Sequence, residues 1–240
     1  SQQDQLRLHM KEGETDVSII SVPEFLKSQL TKRTPVSENI CLDGYCFNVF
    51  LRAMGREKKL SMPIEAVLSV IQAAFEEGAA DLVQLNMDYT NDDDSGFQRL
   101  APLVEAIKKR FNTFVAFKGF PPADKRIIDL IYASGFDIVN FPLDGFYGTT
   151  KSKKIMGAEK IYTALEYASS VFSPGTVWTD LAMGPGSQEQ FKEGIDRLVD
   201  SGIIPLILLQ RESETEDSTY PNLVEFADHM NEAIQRNGLP

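Results

Sequence analysis

Six short apolar runs, each ending in polar residues and each followed by apolar positions at helical spacing, set the rhythm of this chain. The runs are Ile40–Leu42, Leu82–Leu85, Phe114–Phe117, Ile138–Phe141, Val177–Ala182 and Ile203–Leu209. Parallel strands covered on both faces read as continuous apolar stretches rather than as alternation. The pattern therefore predicts repeated βα units. In a barrel built this way, ligands and reactive groups gather at the carboxyl ends of the strands.

The intervening helices carry their own punctuation. Ser61 is expected to cap a helix with Ile64, Val67, Leu68, Ile71 and Phe75 on one face, and Gly78 to stop it. Leu100, Leu103, Val104 and Ile107 form the next inward stripe. Pro122 is expected to open a helix holding Ile127, Ile128 and Ile131 that ends at Gly135. Residues 158–172 carry Ile161, Leu165, Ala168 and Phe172; Ser187 and Gln190 make a capping box before Phe191, Ile195 and Leu198. Pro221 starts a last helix with Leu223, Phe226, Met230 and Ile234.

A faint repeat runs beneath these elements: Gly78, Gly135 and Gly202 each end a helix shortly before a buried strand. Six such units with right-handed crossovers predict an α/β fold, a partial parallel (β/α)6 TIM-like barrel, with an open doubly wound sheet as the alternative. Residues 1–38 read as an N-terminal helical flank, with a helix from Pro23 to Leu30, and residues 39–240 as the barrel domain.

Length fits this reading, since 240 residues fall just short of the about 250 of a full eight-unit barrel. A net charge of −11 argues against nucleic acid or an anionic membrane as the main partner. No stretch approaches the roughly 20 apolar residues of a membrane span. The two cysteines make no disulfide framework, which points to a reducing, cytoplasmic setting. With only His9 and His229 present, a histidine-built metal site or a Ser-His-Asp triad is not expected.

The strand ends supply the candidate chemistry. Cys41, Asp43, Tyr45 and Cys46 follow strand one, then Asn86, Asp88 and Tyr89, then Lys118, Asn140 and Asp144, then Asp180 and Gly184, and finally Gln210 and Arg211. The long connection from Asp43 to Leu60 has the length of a functional loop. Lys118 is a candidate Schiff-base nucleophile, with Asp88 and Asp144 as proton shuttles, or else the partner of a neighbouring aspartate. Asp92-Asp93-Asp94 offers oxygen ligands for a divalent cation but reads better as a solvated acidic turn. Lys151, Lys153 and Lys154 form a basic loop that could meet an anion.

Two stretches carry a family likeness: Val139-Asn140-Phe141-Pro142-Leu143-Asp144, and residues 164–210 with Met183-Gly184-Pro185-Gly186 and Gly202-Ile203-Ile204-Pro205. In their order the chain resembles the radical SAM superfamily, in its biotin-synthase-like branch, over roughly residues 40–212. The resemblance implies a six-unit partial barrel and an S-adenosyl-L-methionine site involving Asn86, Asn140, Asp180, Gly184 and Gln210. It also implies a [4Fe–4S] cluster for which Cys41 and Cys46 are the available metal ligands. The family spaces three cysteines Cys-x3-Cys-x2-Cys, whereas this chain has two, spaced Cys-x4-Cys. Where the family has Gly-Gly-Glu after strand two, this chain has Asn86-Met87-Asp88.

Three functions follow as expectations. One is a radical-SAM-like protein acting on or binding a small molecule, as in cofactor biosynthesis, with a partner protein able to complete the site. The second is a barrel that lacks the cluster and binds a small ligand. The third is an aldolase-like lyase using Lys118.

Overall fold

The computed structural model describes residues 5–10, 13–18, 24, 39–43, 46–51, 53–54, 59–90, 92–143, 156–183, 188–209 and 223–240. Strand β1 (Gln5–Met10) pairs antiparallel with β2 (Gly13–Ser18) as a separate two-stranded sheet. Residues 5–10 and 13–18 thus form a hairpin in the polar stretch that precedes the expected helix. Leu6, Leu8 and Met10 alternate with Arg7 and His9, the period-two signal of a strand. Of the helix expected from Pro23, only Glu24 lies within the described residues.

The main sheet has seven strands in the order β11-β10-β9-β8-β7-β4-β3. Its six parallel members are β4 (Cys46–Leu51), β7 (Leu82–Met87), β8 (Phe114–Lys118), β9 (Ile138–Asn140), β10 (Val177–Met183) and β11 (Ile204–Leu209). Each is followed by a helix, in turn α1 (Ile64–Glu76), α2 (Phe97–Arg110), α3 (Arg126–Ala133), α4 (Ala158–Val171), α5 (Gln188–Asp200) and α6 (Leu223–Arg236). Strand order follows chain order from β4 to β11, so the sheet winds one way as an open half-barrel of six βα units.

The first unit differs from its expectation. Ile40–Asp43 forms β3, which runs antiparallel to β4 at the sheet edge, and β4 rather than β3 is the first parallel strand. Most of the expected long loop is therefore structured, with β5 (Ala53–Met54) and β6 (Lys59–Leu60) adding a small hairpin before α1. Cys46-Phe47-Asn48-Val49-Phe50-Leu51 is itself rich in aromatic and β-branched residues, and Asp43-Gly44 is a strong hairpin signal between two such runs.

One apolar cluster fills the space between sheet and helices. Phe47, Val49, Leu85, Val115, Phe117, Val139 and Val177 pack there with Val67, Ile71, Leu103, Ile107, Ile131 and Leu165. A smaller cluster of Ile195, Val199, Phe226 and Ala233 joins α5 to α6. Burying a leucine- or phenylalanine-sized side chain contributes about 1.5–3 kcal/mol each, so these two clusters are what hold the helices to the sheet.

The helix-ending glycines behave as the repeat implies. Gly78, Gly135 and Gly202 have φ of 64°, 97° and 77°, the left-handed region that closes a helix. After α1, the Ala79 N–H donates to the Ala74 carbonyl at 2.9 Å; after α5, Ile203 N–H donates to Leu198 at 3.0 Å. Two start signals are displaced. Pro63, in extended conformation and without a side-chain cap bond, precedes α1 in place of Ser61. Asp124, rather than Pro122, leads into α3, its carboxylate accepting the Arg126 N–H at 3.0 Å. Ser187 and Pro221 lie outside the described residues.

Candidate functional site

Side chains alternate across a strand, so the register assigns two faces to this sheet. The odd residues of β4, β7, β8 and β9 belong to the apolar cluster under the helices. Their neighbours Asn48, Gln84, Asn86, Ala116, Lys118, Ile138 and Asn140 align across β4, β7, β8 and β9 on the opposite, inner face. Trp178 pairs with Asn140, which puts Asp180 on the same face of β10. A polar stripe thus crosses five strands. Asn86, Lys118 and Asn140 stand level with one another near the carboxyl ends.

Burial of these groups is nearly complete: Asn86 and Asp180 are 1% exposed and Asn140 is 0% exposed. Buried polar groups are costly unless hydrogen-bonded, and most of these are. Gln84 Nε2 donates to Asn48 Oδ1 at 2.7 Å and to Asn86 Oδ1 at 3.0 Å. Asn86 Nδ2 donates to Asn48 Oδ1 at 3.2 Å and to the Gln84 carbonyl at 3.2 Å. Farther along, Lys118 Nζ forms an ion pair with Asp180 Oδ2 at 2.5 Å, and Asn140 Nδ2 donates to Asp180 Oδ1 at 2.9 Å. Among the described residues, Asn140 Oδ1 is buried without a hydrogen-bond partner.

Lys118, expected at the mouth, is there, and its partner is Asp180. Asp88, proposed as its proton shuttle, is instead exposed; its carboxylate accepts the Tyr89 N–H at 2.8 Å, while its own N–H donates to the Leu51 carbonyl at 2.9 Å. Tyr89 stacks edge-on against Phe120 with centroids 5.1 Å apart, an aromatic pair after the ends of β7 and β8. The structure thus brings together Asn86, Lys118, Asn140 and Asp180. Asp144, Gly184, Gln210 and the Lys151–Lys154 segment lie outside the described residues.

The cysteines are placed elsewhere. Cys41 is exposed on the antiparallel strand β3 opposite Asn48. Cys46 opens β4 opposite Leu82, at the amino end of the parallel strands and away from Lys118. Cluster ligation needs thiolates gathered on a compact loop. These two thiols sit on a hairpin at the far end of the sheet and do not fit such a group. Among the described residues, no three His, Cys, Asp or Glu side chains are arranged to hold a metal ion.

The acidic turn has structural work of its own. Asp94 accepts the backbone N–H groups of Gly96 and Gln98 at 3.0 and 2.9 Å where α2 begins, and Asp92 pairs with Arg99 at 2.7 Å. No helix among the described residues is long and apolar enough to cross a membrane.

Asn48, Gln84 and Trp178 are site residues that inspection of strand ends passes over. For Gln84 the signal is the alternation Val83-Gln84-Leu85-Asn86-Met87, a polar residue at every second position of an otherwise apolar strand, and Phe47-Asn48-Val49 repeats it for Asn48. In a half-barrel such a strand has its apolar side under helices and its polar side toward the interior.

No family model matches the chain, and no curated protein matches it. Among solved structures it is similar to the dihydropteroate synthase of Yersinia pestis, crystallised with a sulfonamide drug, at 18% identity and a TM-score of 0.41. That match covers 74% of this chain and 64% of the other, so the chain spans less than two thirds of that enzyme's length. It is also similar to the catalytic domain of a chitinase from Pyrococcus furiosus, at 15% identity and a TM-score of 0.44 over 74% of this chain and 67% of that one. A third likeness is to a dihydropteroate synthase from Coxiella burnetii in complex with pteroic acid, at 15% identity and a TM-score of 0.34 over 75% and 78%.

Proposed function

We propose that this chain binds a small organic molecule at the carboxyl ends of its parallel strands, without an iron–sulfur cluster, on a floor formed by Asn86, Lys118, Asn140 and Asp180. The observation that carries this reading is the buried ion pair of Lys118 and Asp180 joined to Asn140, three strands contributing one polar cluster to an inner face. An apolar inner face would cost less to bury. A fold that places paired charges and amides there has polar groups converging where a ligand can be oriented.

The test is a small-molecule library screened against the full chain by native mass spectrometry and thermal shift. The reading expects at least one compound whose binding is lost when Lys118→Met and Asp180→Leu are combined, a change that removes both charges and leaves neither uncompensated, the Asn140 amide losing its acceptor. Binding that survives in this variant would place the ligand elsewhere. Anaerobic reconstitution with iron and sulfide checks the other half. A brown chromophore that responds to S-adenosyl-L-methionine and disappears with Cys41→Ala and Cys46→Ala would overturn the absence of a cluster.

A second reading has one observation in its favour. Lys118 contacts a carboxylate able to accept its proton, as a lysine needs before it attacks a carbonyl. Addition of the amine and loss of water would give a Schiff base, which borohydride reduces to a stable secondary amine on Lys118. Failure to trap any aldehyde or ketone from a broad panel removes that reading.

A further inference from the structure

We infer that the molecule held at this site is uncharged and presents N–H donors to Asn140 Oδ1 and Asp180, as a primary amide or an amino-substituted nitrogen heterocycle does. This inference rests on the small-ligand reading above and adds the ligand's chemistry to it.

The reasoning starts from which acceptors are already used. Asn48 Oδ1 accepts two amide hydrogens and Asn86 Oδ1 accepts one, so that end of the stripe is internally satisfied. Asn140 is the exception: it is fully buried, and its Oδ1 is the only side-chain atom of the stripe, among the described residues, buried without a partner. Its orientation is fixed chemically. With Nδ2 donating to Asp180 Oδ1 at 2.9 Å, turning the amide over would set oxygen against a carboxylate oxygen. The group without a partner is therefore an acceptor, and what completes it is a donor. A buried carbonyl left without a donor loses the hydrogen bonds that water would give it.

Asp180 extends the same demand. Among the described residues, each of its oxygens has one partner, Asn140 or Lys118, and a carboxylate oxygen has a further lone pair. Asn140 Oδ1 and the Asp180 carboxylate are thus neighbouring acceptors, joined through the Asn140 amide. Charge is balanced at the same place, because the Lys118 cation is matched by the Asp180 anion, which favours neither an anionic nor a cationic ligand. Trp178 and Ile138, on the same face beside Asn140, give the apolar surroundings suited to a flat molecule. The indole is held in place by its Nε1–H bond to the Gly175 carbonyl at 2.9 Å.

The experiment compares matched probes on the full chain by saturation-transfer NMR titration: 2-aminopyrimidine against 2-(dimethylamino)pyrimidine, and benzamide against N,N-dimethylbenzamide. The expected result is at least about tenfold weaker binding for each dimethylated partner, the loss of one buried hydrogen bond. Asn140→Leu should abolish that preference while leaving the folded state detectable by circular dichroism. Equal binding of both members of a pair, or library ligands that uniformly lack N–H donors, overturns the inference and leaves the small-ligand reading standing. If neither these probes nor the library binds, both fall together. Because one comparison changes the ligand rather than the protein, a poorly folding variant does not decide the outcome.

Discussion

The Lys118 ammonium and the Asp180 carboxylate meet at 2.5 Å although β9 separates their strands. Asp180 is 1% exposed, so the contact spans a neighbouring strand on the inner face and ties β8 to β10 with side chains. Removing one member of such a pair leaves the other charge without compensation. Asp180→Ala should destabilise the fold by about 3–5 kcal/mol, whereas Lys118→Met combined with Asp180→Leu should lie much closer to the wild type. Urea denaturation of the three proteins measures this, and equal destabilisation of single and double variants would refute it.

The amide triad makes a separate, smaller claim. Asn48→Ala withdraws the acceptor shared by Gln84 and Asn86 and should cost about 1–3 kcal/mol. Gln84→Leu removes one of the two donors to that acceptor. The costs of the two changes should therefore not add, and a double-mutant cycle in chemical denaturation reads the coupling directly.

Two glycines separate backbone strain from crowding. Gly78 has φ of 64° and open space where a Cβ would stand, so Gly78→Ala should cost about 1 kcal/mol from backbone conformation alone. Gly96 has φ of 80°, and its Cβ would stand 3.1 Å from the side chains of Met87 and Thr90. Gly96→Ala should therefore cost more than Gly78→Ala, by about 1 kcal/mol or above. Similar denaturation midpoints for the two variants would contradict this.

At the start of α3, the guanidinium of Arg126 and its backbone N–H hold the Asp124 carboxyl below the usual carboxylate range. A carboxyl whose value is depressed on folding adds stability above its unfolded value, about 3.9, and loses it as pH falls through the folded value. Asp124→Asn should therefore narrow the gap to wild type below about pH 4, with a small effect because the pair with Arg126 lies at the solvent-accessible surface. A gap that stays constant between pH 7 and pH 2.5 would show that this carboxylate contributes nothing.

The parallel strands and their helices were legible because apolar runs, helical spacing and terminal glycines all point the same way. Leu82, Phe114, Ile138 and Val177 begin strands where the pattern sets them. The amino-terminal part was less legible. Ile40–Leu42 has the composition of a buried parallel strand, yet hairpin pairing with Phe47–Val49 makes it an antiparallel edge, and run composition does not encode strand direction. Leu6 to Met10 alternates as a strand does, a signal outweighed by the polar character around it. That Asn86, Lys118, Asn140 and Asp180 share one face of the sheet follows from their even spacing within the apolar runs. That Lys118 would pair with Asp180, two strands away, depends on sheet order and curvature, which no local window contains. The cysteines were misplaced for the same reason, since an error in the first strand carries every residue near it to the wrong end of the sheet.

Because β11 and β3 are both borders of the sheet among the described residues, the inner polar stripe there lies along an open sheet instead of inside a sealed ring, as along a trough. A ring limits its guests by circumference. A trough limits them by the bonds its floor can make, so under the proposed small-ligand reading selectivity would rest on hydrogen-bond pattern more than on size, and a long molecule could lie crosswise with one end anchored.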